Sequence, residues 1–263
     1  MDPIQATILG FIQGVTEWLP VSSTGHLRIA EHFFGLAVPL LFDVILHFGT
    51  LIVILLFFRK DIKNILEALV KGDFKSENGK LIPLIIVGTV PTILIGFFLG
   101  NTLDTYFSSL SALGGGFIVS AVALYGSKFG TEQKEKITYI EALLIGTAQG
   151  IAIIPSISRS GMTIAIALLL GIRREKAFKF SFLLSVPSII GALGLTLYEQ
   201  SDLLILAGIG LTEIVVGVAV SIVVSFLALK LLWRTLASRK FHFFAVYCAA
   251  VGVLLIGLSL VGF

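Results

Sequence analysis

An all-α integral membrane protein with six transmembrane helices, two re-entrant helical hairpins and an inverted-topology repeat is the fold class that the sequence predicts. Three observations predict it. Apolar residues make up 56% of the 263 positions and charged residues only 13%, against about 25% charged in soluble globular domains. Six apolar runs, at 39–58, 81–99, 109–126, 177–198, 210–229 and 243–262, match the length of about 20 residues that a helix needs to cross a bilayer. Two further apolar segments, 3–36 and 138–172, are broken by clusters of polar residues and are not single spans. Helices follow because lipid offers backbone groups no partner outside a helix or a closed barrel.

The charges orient the spans. All but two of the 19 Lys and Arg residues fall in four places: Arg59 to Lys80, Lys128 to Lys136, Arg173 to Lys179, and Lys230 to Lys240. The alternate connections, around 100–108 and 199–209, hold Asp104, Glu199 and Asp202 but no Lys or Arg. The positive-inside rule makes the first set cytoplasmic and leaves both termini on the outer face. The same placement accounts for the net charge of +3, so no nucleic acid partner is implied. Residues Asp61 to Lys71 read as a short amphipathic helix, followed by a solvated turn, KGDFKSENGK. A lone cysteine, Cys248, excludes an intrachain disulfide, and the N-terminal MDPIQATILGF has no basic region of the kind that opens a cleavable signal.

The two exceptions, Arg28 and Arg159, lie in the two broken segments. The charge pattern holds only if each segment enters the membrane and returns to the side it came from, as helix, turn, helix. A shift of 136 positions superposes Gly10, Gln13, Gly14, Ser22, Thr24 and Gly25 on Gly146, Gln149, Gly150, Ser158, Ser160 and Gly161. Each half therefore has one hairpin and three spans, and three is odd, so the halves insert upside down relative to each other. The chain reads as one membrane domain of two inverted repeats, about 1–126 and 137–263, joined by a basic cytoplasmic loop. In such a plan the broken helices meet near the bilayer midplane and build a site there.

The tips are Pro20 to Gly25 and Pro155 to Gly161. A returning helix begins with unpaired amides and the positive end of its dipole, and Ser22, Ser23, Thr24, Ser156, Ser158 and Ser160 surround the two starts. Two helix N-termini aimed at one point make an anion site, to which Arg159 adds a planar cation suited to phosphate oxygens. A phosphate or diphosphate is the expected anion. His26 lies in the first turn after Ser23 and can exchange protons with a nucleophile or leaving group. Glu17, on the entering arm, can orient that histidine, take a proton or help hold a divalent cation, and Ser23 is the nucleophile expected beside such a base. Small and hydroxyl residues in membrane helices are more often packing residues, which is the better reading of Ser22, Thr24 or Ser156 taken singly. An unpaired guanidinium at membrane depth has a weaker structural explanation. Arg28 has Glu31 three residues on and reads as a structural pair. Gln13 and Gln149, at matching positions, fit structural hydrogen bonds as well as ligand contacts. His32, His47 and His242 have no clustered partners and are assigned no role, and Glu213 reads as an interfacial carboxylate.

The segments QGVTEWLPVSSTGH and PSISRSGMT, with FDVILHFGTL between them, resemble the signature segments of the undecaprenyl-diphosphate phosphatase, or bacitracin-resistance, family. The resemblance implies removal of the terminal phosphate from a polyprenyl diphosphate lipid in the cell membrane, regenerating the monophosphate carrier for cell-envelope glycans. It implies roles for Gln13, Glu17, Ser23, His26, Ser158, Arg159, Ser160 and Thr163, with Ser23 or His26 attacking, and a divalent cation, Mg²⁺ or Ca²⁺, as cofactor. Ser22 and Thr24 join the expected phosphate-binding hydroxyls, and Gln13 and Glu17 the groups that position a metal or water. Two departures stand out. Gln13 occupies a position where the family often has Glu, and Ser156 follows Pro155 where the family commonly has Gly. The pocket is expected to open to the outer face, with membrane lipid around the tail, and a homodimer is left open. The competing readings are a transporter or flippase of an anionic lipid phosphate, which shares the inverted-repeat plan, and a non-catalytic anion-binding protein.

Overall fold

The computed structural model of the chain describes residues 1–36, 38–106, 109–200 and 209–262, with side chains described except at 100–106 and 200. Asp104 and Asp202 of the two acidic connections lie outside the described side chains. The described residues form eleven α-helices and no strand. These are α1 (Pro3–Thr16), α2 (Ser23–Phe34), α3 (Leu40–Phe57), α4 (Arg59–Val70), α5 (Leu81–Tyr106), α6 (Leu110–Gly126), α7 (Tyr139–Ile151), α8 (Arg159–Leu169), α9 (Arg174–Gln200), α10 (Leu211–Ala237) and α11 (Phe244–Leu260). Six segments, carried by α3, α5, α6, α9, α10 and α11, are long and apolar enough to cross a membrane. The chain is a multi-pass membrane protein. Helix α10 runs to Ala237 rather than stopping near 229, because Leu232 and Leu236 continue the buried face of Ala228 and Leu229 past Lys230 and Arg234. Helix α4 is the amphipathic helix that the charge pattern predicts.

The two broken segments fold as helix, turn, helix. Their arms, of 14 and 12 residues in α1 and α2 and 13 and 11 in α7 and α8, rise about 16 to 21 Å at 1.5 Å per residue, short of a hydrocarbon core of about 30 Å. Both entering arms start with a capping box. Asp2 N–H donates to Gln5 Oε1 at 2.9 Å and Gln5 N–H to Asp2 Oδ1 at 2.8 Å. At the corresponding positions Thr138 N–H donates to Glu141 Oε2 at 2.8 Å and Glu141 N–H to Thr138 Oγ1 at 3.3 Å. Each box satisfies amides that the helix start would otherwise leave unpaired.

Packing crosses between the halves. Helix α1 lies along α10 and α7 along α5, while α3 packs on α9 and α6 on α11. The crossed pairs approach through glycine. A Cβ on Gly10 would fall 2.3 Å from the Gly217 carbonyl oxygen, and one on Gly146 would fall 1.9 Å from that of Gly88. Small residues at such crossings let dispersion contacts form where the hydrophobic effect between helices is absent. An aromatic cluster fills the space beneath the turns: Trp18 meets Phe182 edge-on at 5.3 Å, Phe178 meets Phe182 at 4.6 Å, and Trp233 meets Phe178 at 5.0 Å. Outward faces are apolar and open, with Ile86 60%, Phe97 80% and Val122 69% exposed, as lipid-facing surfaces are.

The turns bring Ser22 and Ser156 to φ values of 66° and 68°, a region in which Cβ crowds the following carbonyl and glycine is at ease. The turn after Pro155 therefore keeps a left-handed residue and makes serine carry it. Replacing Ser156 with Gly is expected to raise the thermal midpoint of the detergent-solubilised protein, while Gly146→Val, which forces α7 away from α5, is expected to destabilise it by about 1–3 kcal/mol. Circular dichroism melts of the two variants beside the parent protein check both signs.

Candidate active site

The first residues of two returning helices meet on one carboxylate. Glu17 follows α1 at the entrance to the first turn and is 6% exposed. Its Oε2 accepts from Ser23 Oγ at 2.6 Å and from Gln13 Nε2 at 3.0 Å. Its Oε1 accepts from Arg159 Nη2 across the boundary between the halves. Ser23 opens α2 and Arg159 opens α8, so the positive ends of both helix dipoles lie against the same group. The shift that relates the halves superposes Ser23 on Arg159. Equivalent places in the repeat thus carry the hydroxyl in one half and the guanidinium in the other.

Local chemistry sets the helix starts. Ser22 accepts from Gly25 N–H at 3.3 Å and Ser158 from Gly161 N–H at 3.1 Å, each as the N-cap of its helix. A cap satisfies one of four orphan amides and leaves the others in the first turn. The turns are also tied to each other: Ser160 Oγ donates to the Leu19 carbonyl at 3.3 Å, and a Cβ on Gly25 would fall 2.8 Å from Ser156 Oγ. Trp18, fully buried, places its ring 5.5 Å from the Arg159 guanidinium carbon, a cation–π contact that adds to the hold of Glu17 on the arginine.

A histidine that sequence reasoning set aside completes the cluster. His47, on α3, lies with Nε2 3.2 Å from Glu17 Oε2 and 3.4 Å from Ser23 Oγ. Its Nδ1 faces the Asp43 carbonyl at 2.8 Å. A carbonyl oxygen only accepts, so the Nδ1 position carries the proton and Nε2 is the exchangeable one. The expectation that His47 has no clustered partner is therefore corrected. Its partners are 30 and 24 residues away in sequence, and only the packing of α3 beside α1 brings them together.

His26 takes a different place from the one expected. Its Nδ1 meets the Ser22 carbonyl at 2.7 Å, its Nε2 meets the Tyr247 hydroxyl at 2.7 Å, and its ring stacks on Tyr247 with centroids 5.8 Å apart. Among the described contacts it bonds neither Ser23 nor Glu17. The reason is geometric: on a helix start the residue three on from Ser23 turns its ring back toward the N-cap carbonyl, and α11 supplies Tyr247 there. The expected phosphate-binding hydroxyls also divide. Ser22 and Ser158 cap helices, Ser160 ties the turns, and Thr163, fully buried, donates to the Arg159 carbonyl at 2.9 Å and shares a hydrogen bond with Ser181. Thr24 is half-buried. Gln149 bonds Thr92 Oγ1 at 3.1 Å and Ser188 Oγ at 2.9 Å, a structural role, whereas its twin Gln13 bonds the central carboxylate. Arg28 pairs with Glu31 at 3.3 Å, as its spacing predicts.

The donor set bears on the expected cation. Among the described residues no group of three or more His, Cys, Asp or Glu side chains is placed to hold a metal ion. Glu17 is already shared by a guanidinium, a hydroxyl, an amide and an imidazole, and Gln13 adds one buried, unpartnered neutral oxygen, Oε1. One carboxylate already neutralised by arginine does not fit a resident Mg²⁺ or Ca²⁺, which takes oxygen ligands with net negative charge.

Comparison with known proteins places this geometry in a family. The model of the family described as bacitracin resistance protein BacA matches residues 6–254. An undecaprenyl-diphosphatase of Carboxydothermus hydrogenoformans is 42% identical, over 100% of this chain and 99% of that one. Proteins of the same name from Korarchaeum cryptofilum and Methanosphaera stadtmanae are 37% and 36% identical, over 98% and 99% of this chain and 100% and 99% of theirs. The match runs through both turns and all six long apolar helices, and the chain belongs to the bacitracin resistance protein BacA family.

Proposed function

We propose that this protein hydrolyses undecaprenyl diphosphate, or a closely related polyprenyl diphosphate, to the monophosphate lipid and inorganic phosphate. The observation that carries the reading is the meeting of Ser23 and Arg159 on the two oxygens of Glu17. A nucleophile and a phosphate-binding cation so placed lie within reach of one diphosphate. The names of the relatives point to the same substrate.

In this reading the diphosphate takes Arg159 and the uncapped first-turn amides of α2 and α8 as partners, and Glu17 gives up part of its hold on the guanidinium. Ser23 Oγ attacks the terminal phosphorus while its proton passes to Glu17 Oε2 or His47 Nε2, the two acceptors beside it. The bond from phosphorus to the bridging oxygen breaks and the lipid monophosphate leaves. Water then attacks the phosphoserine as its proton passes to the same pair, the bond from phosphorus to Ser23 Oγ breaks as the pair returns the first proton to that oxygen, and phosphate leaves with Ser23 restored. Charge spread over the transferred phosphoryl oxygens is stabilised by the arginine and the two dipoles, the dominant need in such transfers. A divalent cation enters only as a counter-ion carried on the substrate's own oxygens, and no step is assigned to it.

The membrane arrangement belongs to the same proposal. The short arms of α1, α2, α7 and α8, the crossed pairing of α1 with α10 and α7 with α5, and the matching capping boxes support two re-entrant hairpins related by an inverted repeat, with halves of about 1–126 and 137–263. The distribution of lysine and arginine supports cell-membrane insertion with both termini and the pocket mouth on the outer face.

Detergent removes compartments and so separates hydrolysis from transport. Purified protein is expected to release phosphate from undecaprenyl diphosphate in micelles, with Arg159→Ala slower by about 10²–10³-fold at unchanged helical content. No release by the parent protein, combined with lipid movement in vesicles, would favour the transporter instead. Acid-quenched turnover is expected to trap an acid-stable phosphoryl group that Ser23→Ala abolishes; an acid-labile adduct lost in His26→Ala moves the nucleophile to that histidine. His47→Ala is expected to lower kcat by about 10²–10⁴-fold with a smaller change in KM, and steady-state kinetics on the folded variant tests whether it exchanges the proton.

A further inference from the structure

A second concave site lies at the lysine-rich end of the bundle, away from the carboxylate cluster. A cavity of about 830 Å³ is bounded by the turn before α5, the connection before α7 and the first turns of α9, and shares no residue with the Glu17 cluster. Four lysines line it, Lys80, Lys136, Lys176 and Lys179, against two carboxylates, Glu77 and Glu135. Both carboxylates are already engaged: Glu77 Oε1 accepts from Lys176 Nζ at 2.6 Å and Glu135 pairs with Arg173. Lys179 Nζ lies 2.5 Å from Asp61 Oδ1 of α4. Among the described residues Lys80 and Lys136 have no carboxylate partner. The cavity therefore holds two uncompensated cations beside the starts of α5 at Leu81 and α7 at Tyr139.

The walls distinguish a lipid from a soluble anion. Beneath the lysines the lining turns apolar and aromatic, with Pro83, Leu84 and Phe180. Tyr139 at the rim is 59% exposed, as interfacial aromatics are. Directly beyond it on the lipid-facing surface, Ile140 is 72%, Leu143 45% and Leu144 44% exposed on α7, and Ile86 60% on α5. A headgroup among the lysines would have its acyl chains continue along this surface without leaving the bilayer. A soluble phosphate would find the cations but leave the apolar wall unused.

We infer that this cavity is a binding site for the phosphate headgroup of an anionic lipid in the leaflet at the lysine-rich end, which the charge rule makes cytoplasmic. Lys80 and Lys136 supply the charge, and the α5–α7 surface receives the chains. The site stands apart from the hydrolysis proposed above and survives if that reading fails.

The test uses the purified full-length protein in neutral detergent, with lipid retention read by native mass spectrometry. Phosphatidic acid, a lipid phosphomonoester, is expected to be retained in preference to phosphatidylcholine. The double variant Lys80→Ala/Lys136→Ala is expected to weaken that retention by about 30-fold, from about 1 kcal/mol per basic residue near an anionic surface. Lys80→Arg/Lys136→Arg is expected to keep it, and Lys128→Ala, outside the cavity, to leave it unchanged. Both cavity lysines are exposed, so helical content should be the same in all variants, and the arginine pair reports on the site if the alanine pair does not fold. Equal retention of phosphatidylcholine, or undiminished retention of phosphatidic acid by the alanine variant, overturns the proposal. Displacement of the lipid by millimolar inorganic phosphate would assign the cations to a soluble anion and overturns the lipid assignment.

Discussion

The structure depends on one buried carboxylate that is never alone. Glu17 is almost wholly removed from solvent in a chain that offers little water, and an isolated charge there would cost more than any packing around it returns. Its cost is offset by a guanidinium, a hydroxyl, an amide and an imidazole drawn from three other elements and its own helix. Those partners have to be brought from far along the chain, so the requirement that Glu17 be satisfied is also a requirement on how α1, α2, α3 and α8 assemble. The cluster adds to the single hydrogen bond from the Ser160 hydroxyl to the Leu19 carbonyl in tying the two turns to each other.

That constraint explains why the halves resemble each other in plan and differ in chemistry. Capping boxes, glycine crossings and turn geometry recur, because each half must insert a broken helix and close it against a long helix of the other half. The reactive groups do not recur. The place held by Ser23 in one half is held by Arg159 in the other, and the place of Glu17 is held by Ile153. A single carboxylate can bridge a hydroxyl to a guanidinium, whereas two facing carboxylates would repel. The symmetric frame delivers two helix N-termini to one point, and asymmetry in the side chains makes that point suited to phosphoryl transfer.

The two polar sites lie in different surroundings. Around Glu17 the cation is paired, flanked by Trp18, and only 19% exposed at its side chain. At the lysine-rich end Lys80 and Lys136 are exposed and, among the described residues, lack a carboxylate partner, and an apolar wall leads outward to the lipid. The first arrangement suits bond breaking, where fixed dipoles and exclusion of water strengthen each interaction. The second suits reversible holding of a headgroup, where long, hydrated lysines adapt to their ligand.

The sequence by itself determined the membrane class, the six spans, the two broken segments and the two motifs, one carrying Glu17 and Ser23 and the other Arg159. Each of these is written in local terms: runs of apolar residues about a bilayer long, lysines gathered at one end, and polar clusters whose cost in lipid demands a use. The same local logic identified the pairing of Arg28 with Glu31. It did not find His47, which stands in an unremarkable apolar helix and acquires its partners only when α3 packs beside α1. Nor could it tell that His26 turns to Tyr247, that Thr163 is consumed by Ser181, or that Ser156 bears the left-handed turn. Those outcomes depend on which helices become neighbours and on the direction each side chain leaves its backbone. Contacts between residues far apart in the chain have no period or spacing to betray them, and only tertiary packing decides them.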